Sequence, residues 1–392
     1  MRVPSLSLLS VLLAATVSQV SAAPAAAASS AVAVKGKAYG FATGTTGGGN
    51  AAAVYPSDIA ELKKYLSDDV ARVIVLNKEY NFISSEGKVT EQGCRPKSNT
   101  CVGNGGQDAI NGANWCSGSD QTPVQVTYDK AGVQPLWIKS NKSVIGVGNK
   151  GVIRGKGLRV SNGASNVIIQ NVHVTELNPQ YIWGGDAFAI DDADKVWIDH
   201  CQTSLIGRQH VVIGNGPGTH VTISNHYFDG RTSWSASCNG HHYWTMILGG
   251  SKATVTIANN WFRSVSGRSP KISSTTDGTT VVHAVNNWFY DNPSGHAFDI
   301  STNTFVLAEG NVFQNVDQPL LEMQGQLFAN GGTACQSALG RSCQTNQVID
   351  SGAFSGASTG ALSHFKGVNA VTPSSTSVVA NNVSKNAGIG KI

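Results

Sequence analysis

Three short clusters of polar and aromatic residues contain the side chains that could do chemistry. The first, Tyr181–Ala187, ends just after Asp186, the second centres on Arg208, and the third contains Arg268 and Lys271. Fixed cations stabilise negative charge that develops in a transition state, and a nearby carboxylate can orient such a cation. These residue types therefore suit a reaction in which the substrate becomes transiently anionic.

The spacing of the clusters favours a common face. Asp186 precedes Arg208 by 22 residues and Arg208 precedes Arg268 by 60, close to one and two turns of the repeat described below. Arg268 lies between Gly267 and Pro270, and a rigid turn of this kind fixes where a guanidinium points. The alternative interpretation is structural, since a lone arginine in a turn is usually a solvated charge or half of an ion pair.

Neighbouring aromatic and acidic residues also have two interpretations. Trp183, Tyr243 and Trp244 could simply pack, but aromatic rings beside polar loops also stack on sugar rings. The three aspartates within residues 191–194 are read as turn residues rather than as metal ligands. On the residues alone, a polysaccharide site and a purely structural role both stay open.

A degenerate repeat runs through the middle of the chain and must position these clusters. Six segments share a β-rich run that ends in a polar residue, and these residues are Asn171, His200, His226, Asn260, Asn287 and Asn311. Their spacings of 29, 26, 34, 27 and 24 residues are typical of a solenoid. The runs mostly alternate apolar and polar residues, which predicts one strand per repeat.

The repeat predicts an all-β fold, a parallel β-helix. Gly, Asn, Asp and Ser punctuate the spacers, which are therefore turns. Strands stacked one per coil form parallel sheets, and a recurring asparagine can form a ladder of hydrogen-bonded amides. A leucine-rich repeat would need a regular leucine pattern, and a propeller would need four strands per repeat. The interior of a β-helix is filled, so a site must lie in an outer groove.

The open ends of the stack need covers, because exposed strand edges pair with other chains. The segment 56–66 predicts an N-terminal capping helix, with Ser57 or Asp58 as the N-cap and Ile59, Leu62 and Leu66 on one face. The Ser-, Ala- and Gly-rich region after residue 343 is expected to cover the other end and to pack along the side.

The N-terminus indicates secretion. Arg2, a short apolar run and small residues before Ala23 predict a signal peptide over residues 1–22 and one domain over residues 23–392. No segment is long enough to span a membrane. The formal net charge of +4, or +3 without Arg2, excludes a nucleic-acid-binding pattern. Asn141 and Asn382 begin possible N-glycosylation sequons.

Seven cysteines in a secreted chain predict disulfides and one leftover thiol. Cys335 and Cys343 are close enough in sequence to close a short loop, and two more bridges can form among Cys94, Cys101, Cys116 and Cys238. Cys201 lies in an apolar run and is predicted to be the free, buried cysteine. No CxxC pair accompanies a suitable histidine pair, so zinc is not expected.

From about Lys35 to the C-terminus the chain resembles the pectin lyases of polysaccharide lyase family 1. The resemblance rests on six motifs: Trp183-Gly-Gly-Asp-Ala, Val196-Trp-Ile-Asp-His200, Gly207-Arg-Gln-His210, Cys238-Asn-Gly-His-His-Tyr-Trp244, Gly267-Arg-Ser-Pro-Lys271 and Leu307-Ala-Glu-Gly-Asn-Val-Phe313. It implies a right-handed parallel β-helix. One departure is Ser269, where a larger apolar residue often stands, although Arg268 and Lys271 stay in register.

The resemblance also implies roles for particular residues. Arg268 would be the catalytic base, with Asp186, Arg208 and Lys271 around it. An aromatic substrate groove would consist of Trp115, Trp183, Tyr243 and Trp244. The implied bridges are Cys94–Cys116, Cys101–Cys238 and Cys335–Cys343, which leave Cys201 unpaired.

The implied reaction is endo-acting β-elimination on methyl-esterified galacturonan, with a 4,5-unsaturated product. A methyl ester removes the carboxylate charge that makes the C5 proton hard to abstract, so Arg208 and Lys271 could stabilise the enolate-like transition state. Related pectate lyases hold calcium with acidic residues, and Arg208 stands where they carry an acidic ligand. An arginine would repel calcium, so no metal and no cofactor is expected.

Three alternatives remain at this stage. A calcium-dependent pectate lyase could use Asp186 and the aspartates at 191–194 as ligands. A polygalacturonase would need clustered carboxylates, and none is evident near Arg268. A non-catalytic carbohydrate-binding β-helix would need no pair like Arg268 and Lys271. The expected partner is polymeric pectin, outside the cell, with the protein acting as a monomer and contacting neither nucleic acid nor membrane.

Overall fold

The computed structural model describes Met1, residues 32–102 and residues 105–392. The predicted signal peptide and the predicted domain start at residue 23 therefore lie outside the described residues, Met1 apart, and stay predictions. Residues 32–392 pack as one unit. No helix within the described ranges is long and apolar enough to cross a membrane.

Among the described residues, 23 strands pair side by side into a continuous parallel β-helix with three faces. Sheet A contains Leu136–Ile138, the first parts of Leu158–Gln170 and Phe188–Asp199, then Val211–Ile213, Met246–Leu248, Lys271–Ile272 and the last parts of Trp288–Ile300 and Val312–Met323. The predicted fold class is confirmed.

The two other faces continue the same coils. Sheet B contains Ala53–Val54, Arg72–Leu76, Lys142–Gly146, the last parts of Leu158–Gln170 and Phe188–Asp199, then Gly218–Ser224, Lys252–Ala258, Thr279–Val285, Thr304–Glu309 and Gln326–Phe328. Sheet C contains Glu79–Asn81, Val152–Arg154, His173–Leu177, Gln202–Ile206, Tyr227–Asp229, Trp261–Arg263, the first parts of Trp288–Ile300 and Val312–Met323, and Gln347–Ile349.

A smaller four-stranded sheet lies outside the coils. It consists of Lys88–Pro96, Asp108–Ala109, Gln121–Asp129 and Tyr181–Ile182. Short 3-10 helices occur at Gly40–Ala42, Lys97–Asn99, Gly112–Ser117, Thr333–Cys335 and Thr359–Phe365. The small sheet matters for function because Tyr181–Ile182 leads directly into Trp183 and Asp186.

The core is a stack of inward-facing side chains that repeats from coil to coil. Phe228, Phe262, Phe289 and Phe313 stack almost parallel, with ring centroids 4.5, 4.6 and 4.7 Å apart. This spacing equals the separation of neighbouring strands, about 4.8 Å, because each ring belongs to the next coil. The in-register core fixes the vertical position of each coil and so of the loops that it carries.

The predicted asparagine ladder is present at the bend between sheets B and C. The side-chain amide of Asn260 donates to Asn287 Oδ1, that of Asn287 to Asn311 and that of Asn311 to Asn346, each at 2.9 Å. The first three asparagines are fully buried or nearly so. The ladder satisfies polar groups that would otherwise be unpaired in the interior, and Asn346 extends it beyond the predicted repeats.

The alignment of the first two repeats was wrong by one residue. His173 pairs with Gln202 and Gln202 with Tyr227, so the residues level with His226 are Val172 and Cys201 rather than Asn171 and His200. Cys201 is fully buried and free, as predicted. A one-residue slip reverses which side chains face inward, and the buried apolar residues decide the register here.

Both predicted covers are confirmed. Helix α1, Ile59–Ser67, has Asp58 as its N-cap, and Leu62 and Leu66 are buried in the core. Helix α2 is the single turn Gln336–Leu339, and helix α3, Thr376–Asn386, packs two buried valines, Val379 and Val383, beside Val312. The C-terminal region therefore runs along the side of sheet C, and at the end of the stack Phe354 packs on Phe313 with ring centroids 4.6 Å apart.

Candidate active site

The three sequence clusters meet at the turns that enter sheet A. Phe188, Val211 and Met246 pair with one another on successive strands of sheet A. The residues two positions earlier, Asp186, Gln209 and Trp244, therefore lie on successive coils, or rungs, of the stack. The backbone N–H of Arg208 donates to Gly185 O at 3.0 Å, and that of Met246 donates to Arg268 O. Although the coils differ in length, they thus bring Asp186, Arg208 and Arg268 to the same edge of sheet A.

A groove of about 600 Å³ runs over the outer face of sheet A beside these turns. Its floor is apolar and includes Ala189, Val212 and Ile247, and its wall includes Asp186 and Arg208. The predicted location, an outer groove rather than the filled interior, agrees with this arrangement.

Arg208 is held from three directions. Its Nη1 donates to Asp186 Oδ2 at 3.1 Å, and its guanidinium carbon lies 3.9 Å from the ring centroid of Trp183. Its backbone carbonyl accepts a hydrogen bond from His242 Nε2 at 2.7 Å. Burial raises the pKa of Asp186, while Arg208 and the backbone N–H of Gln209 act in the opposite direction. The guanidinium is therefore fixed without help from a ligand.

Arg268 lies at a turn and in a partly desolvated pocket. Its φ is +46°, the left-handed conformation that many other turns of this chain share. Its guanidinium carbon lies 4.7 Å from the ring centroid of Trp244 and 5.9 Å from that of Tyr243. Burial lowers the pKa of Arg268, and the positive charge of Arg208 adds to the shift.

Three small features support the turn at Arg268. The backbone N–H of Arg268 donates to Nε2 of the buried His296 at 3.2 Å. A Cβ at Gly267 would lie 2.5 Å from the ring of Tyr243, so only glycine allows that ring to approach. Ser269, the departure from the family pattern, is buried and donates its backbone N–H to Ala297 O at 3.1 Å, which keeps Arg268 in register.

Lys271 is paired with a residue that the sequence analysis missed. Its Nζ lies 2.5 Å from Oδ2 of Asp299, and the two residues are level on neighbouring strands of sheet A. Asp299 follows Lys271 by 28 residues, close to one coil, so the repeat length was the signal that could have identified it. Lys271 therefore lies beside the predicted site, but the carboxylate of Asp299 partly neutralises its positive charge.

The four predicted aromatic residues lie together. Trp115, Trp183 and Trp244 pack against the small buried cluster of Cys94, Ala109 and Ile182. Tyr243 meets Trp244 edge to face with centroids 4.8 Å apart. The four rings therefore occupy one region, in which Trp183 borders the groove and Trp244 lies beside Arg268.

The three predicted disulfides are present and leave Cys201 unpaired. Cys94–Cys116 fixes the segment that carries Trp115, and Cys101–Cys238 fixes the loop that leads to Tyr243. Two of the three bridges therefore restrain loops that carry aromatic residues of the site.

Two of the three aspartates at 191–194 are already engaged. Asp191 Oδ2 lies 2.6 Å from Arg159 Nη2, and Asp194 Oδ1 accepts from Thr219 and His220, each at 2.6 Å. Calcium prefers six to eight oxygen ligands. No group of three or more acidic, histidine or cysteine side chains among the described residues could hold a metal ion. With Arg208 against Asp186, the residues present do not fit a calcium ion.

These features define a class: a parallel β-helix with a groove over the outer face of one sheet, and with arginines and aromatic rings at the turns beside it. A family model described as pectate lyase matches residues 5–392. The chain is 51% identical to a probable pectin lyase A of Aspergillus fumigatus, with 92% of this chain and 96% of the relative covered. It is 50% identical to pectin lyase B of Emericella nidulans, with 94% and 97% covered.

Solved structures agree with the fold. A pectate lyase of Bacillus sp. N165, in complex with trigalacturonate, superposes with a TM-score of 0.56 at 20% identity, over 90% of this chain and 98% of that one. The protein belongs to the pectate lyase family of polysaccharide lyases, as its resemblance to the pectin lyases implied.

Proposed function

We propose that this protein is an endo-acting pectin lyase that cleaves α-1,4 linkages of methyl-esterified galacturonan by β-elimination. The single observation that carries the proposal is the position of Arg208, held in the groove by Asp186 and Trp183. A guanidinium at this place cannot hold calcium, and a reacting unit whose acid group is masked as an ester needs no metal to offset a carboxylate charge. The similarity to the named pectin lyases supports the same activity.

In the proposed reaction Arg268, in its neutral form, removes the proton at C5 of a galacturonate methyl ester. The electron pair moves into the ester carbonyl, and then forms the C4–C5 double bond as the bond from C4 to the glycosidic oxygen breaks. The leaving oxygen takes up a proton from water, and Arg268 gives the proton it removed back to the solvent. The lowered pKa of Arg268 increases the small neutral fraction that can act as a base.

Arg208 and Lys271 have the supporting electrostatic role. Negative charge develops on the ester carbonyl oxygen, and preorganised cations stabilise it without having to reorient during the reaction. Asp186 orients Arg208, and Asp299 orients Lys271. Trp115, Trp183, Tyr243 and Trp244 supply apolar surfaces for the sugar rings.

The cellular setting is part of the proposal. We infer a secreted protein that acts as a monomer on polymeric pectin outside the cell. Asn141 and Asn382, the predicted glycosylation sites, are both exposed. Asn141 Oδ1 accepts from Asn166 Nδ2 at 2.8 Å, while Asn382 lies within α3.

The test compares purified protein on highly methyl-esterified pectin and on polygalacturonate, with and without chelator. We expect ultraviolet absorbance from unsaturated ends on the esterified polymer, at a rate that chelator does not change. Faster cleavage of the ester-free polymer, or loss of activity with chelator, would instead identify a calcium-dependent pectate lyase. Binding without new absorbance would identify a carbohydrate-binding protein.

A further inference from the structure

The groove floor continues well beyond the proposed reaction centre. One outward-facing position of sheet A carries, rung by rung, Trp137, Arg159, Ala189, Val212, Ile247 and Lys271. Arg159 is four rungs from Lys271, or about 19 Å at about 4.8 Å per rung. A polymer lying along the row would reach Arg159 several sugar units from the point of cleavage.

Arg159 is held in place and retains unused donors. Its Nη2 donates to Asp191 Oδ2 at 2.6 Å, and Asp191 Oδ1 accepts from the backbone N–H of Gly216 at 2.8 Å. A guanidinium has five N–H donors; the Nε of Arg159 is buried, but the side chain is partly exposed, so donors at the end of the guanidinium remain for a ligand. The anchored carboxylate fixes the arginine before a ligand arrives, which reduces the ordering that binding would require.

Trp137 adds a flat surface at the same place. Its side chain is 47% exposed, an unusual state for a large apolar residue, and Arg159 lies 5.3 Å from its ring centroid. Trp137 also lines a second hollow of about 430 Å³, whereas Arg159 lines the main groove. Trp137 and Arg159 therefore lie between the main groove and the second hollow.

We propose that Trp137 and Arg159 form a distal subsite that binds an unesterified galacturonate unit. The ring would stack on the sugar, and the guanidinium would bind its free carboxylate. This inference rests on the proposed function, since it concerns the same polymer. The protein would then prefer a methyl-esterified galacturonate at the point of cleavage and an unesterified galacturonate several units away, at Trp137 and Arg159.

An ordinary ion pair is the competing interpretation, and the chain contains a matched example. Arg154 Nη2 lies 2.7 Å from Glu176 Oε2 on sheet C, with side-chain exposures of 36% and 34% against 32% and 22% for Arg159 and Asp191. Arg154 does not border the groove. Arg154→Gln therefore removes a similar pair without touching the proposed subsite.

The experiment measures kcat and KM on a fully methyl-esterified galacturonan and on the same polymer after partial de-esterification. We expect Arg159→Gln to raise KM roughly tenfold on the partly de-esterified polymer, because a charge-assisted hydrogen bond is lost. KM on the fully esterified polymer and kcat on both should change little. Trp137→Ala should raise KM on both polymers, and Arg154→Gln on neither.

Two outcomes would overturn the inference: equal KM changes on both polymers, or no change in Arg159→Gln. Arg159→Lys retains the charge and should keep most of the preference, so it separates a lost charge from damaged folding. If the wild-type protein forms no unsaturated product from esterified polymer, the proposed function fails instead. An active wild type with an unaffected Arg159→Gln variant refutes the subsite alone.

Discussion

The guanidinium carbon of Arg208 lies 3.9 Å from the ring centroid of Trp183. A cation over an indole face is attracted by the ring quadrupole by about 0.5–2 kcal/mol, depending on desolvation. The Trp183 backbone is itself in the left-handed region, with φ +66°. The pair is formed before substrate binds, because the Tyr181–Ala187 loop already holds the ring against the guanidinium.

The first prediction concerns Arg208. Arg208→Gln should lower kcat on esterified pectin by roughly 10²–10³-fold, the usual loss when one oxyanion-stabilising donor is removed. Arg208→Lys should lose less, because it keeps the charge but not the planar contact with Trp183. Initial rates of unsaturated product at saturating substrate measure both. A rise in KM with unchanged kcat would mean that Arg208 only binds the ground state.

The second prediction concerns the proposed base. Arg268→Lys keeps a cationic side chain, but the lysine is shorter and has a different pKa from the arginine. It should reduce kcat by at least about 10²-fold. Arg263→Lys is the matched control, since Arg263 lies over Trp261 on sheet C, outside the groove. Both variants should fold with an unchanged Tm. Near-normal turnover by Arg268→Lys would show that another group removes the proton.

Much of the fold could be predicted because one coil resembles the next. The buried asparagines and aromatic residues recur in sequence as they do in space, so their spacing indicated the solenoid. The register slip at Cys201 arose because no polar ladder residue stands there; burial of an apolar side chain decided the alignment. An alignment based on polar residues could not detect that an apolar residue, Cys201, takes the place of the ladder asparagine in this coil.

The supporting residues of the site were harder to predict. Asp299, His242 and His296 contact Lys271, Arg208 and Arg268 across coils. Each contact depends on which coil a residue occupies, and the coils range from 24 to 35 residues in length along the asparagine ladder. The cations themselves were recognisable from their motifs, whereas their partners required the three-dimensional register.

The third prediction tests the asparagine ladder. Asn287→Ala should destabilise the protein by about 3 kcal/mol, because Asn287 is fully buried and serves Asn260, Asn311 and Ile257 O. Its removal leaves several buried polar groups unpaired. Asn369→Ala is the control and should have little effect, since Asn369 is exposed and its side chain bonds, within the described part of the chain, only to Thr43 Oγ1. Thermal unfolding of the two variants and the wild type makes the comparison, and equal Tm values would contradict a stabilising ladder.

The fourth prediction concerns stability against acid. Three buried histidines, His210, His226 and His242, lie in the core behind Arg208, and the rings of His210 and His242 are 4.7 Å apart. Burial lowers the pKa of all three, that of His242 to about 4. An unfolded histidine binds a proton below about pH 6.5, whereas these folded ones do not. The free energy of unfolding should therefore fall as the pH falls from about 6.5 towards 4.

His242→Gln isolates one part of this effect. Glutamine keeps an N–H that can donate to the carbonyls of Arg208 and Trp244, as His242 Nε2 does at 2.7 and 3.0 Å, but it does not titrate. The slope of unfolding free energy against pH should decrease by up to about 1.4 kcal/mol per pH unit between 6 and 4.5, the contribution of one proton. Denaturant unfolding at several pH values measures it. Parallel pH curves for the variant and the wild type would show that His242 takes up a proton equally in both states, and that its burial does not limit acid stability.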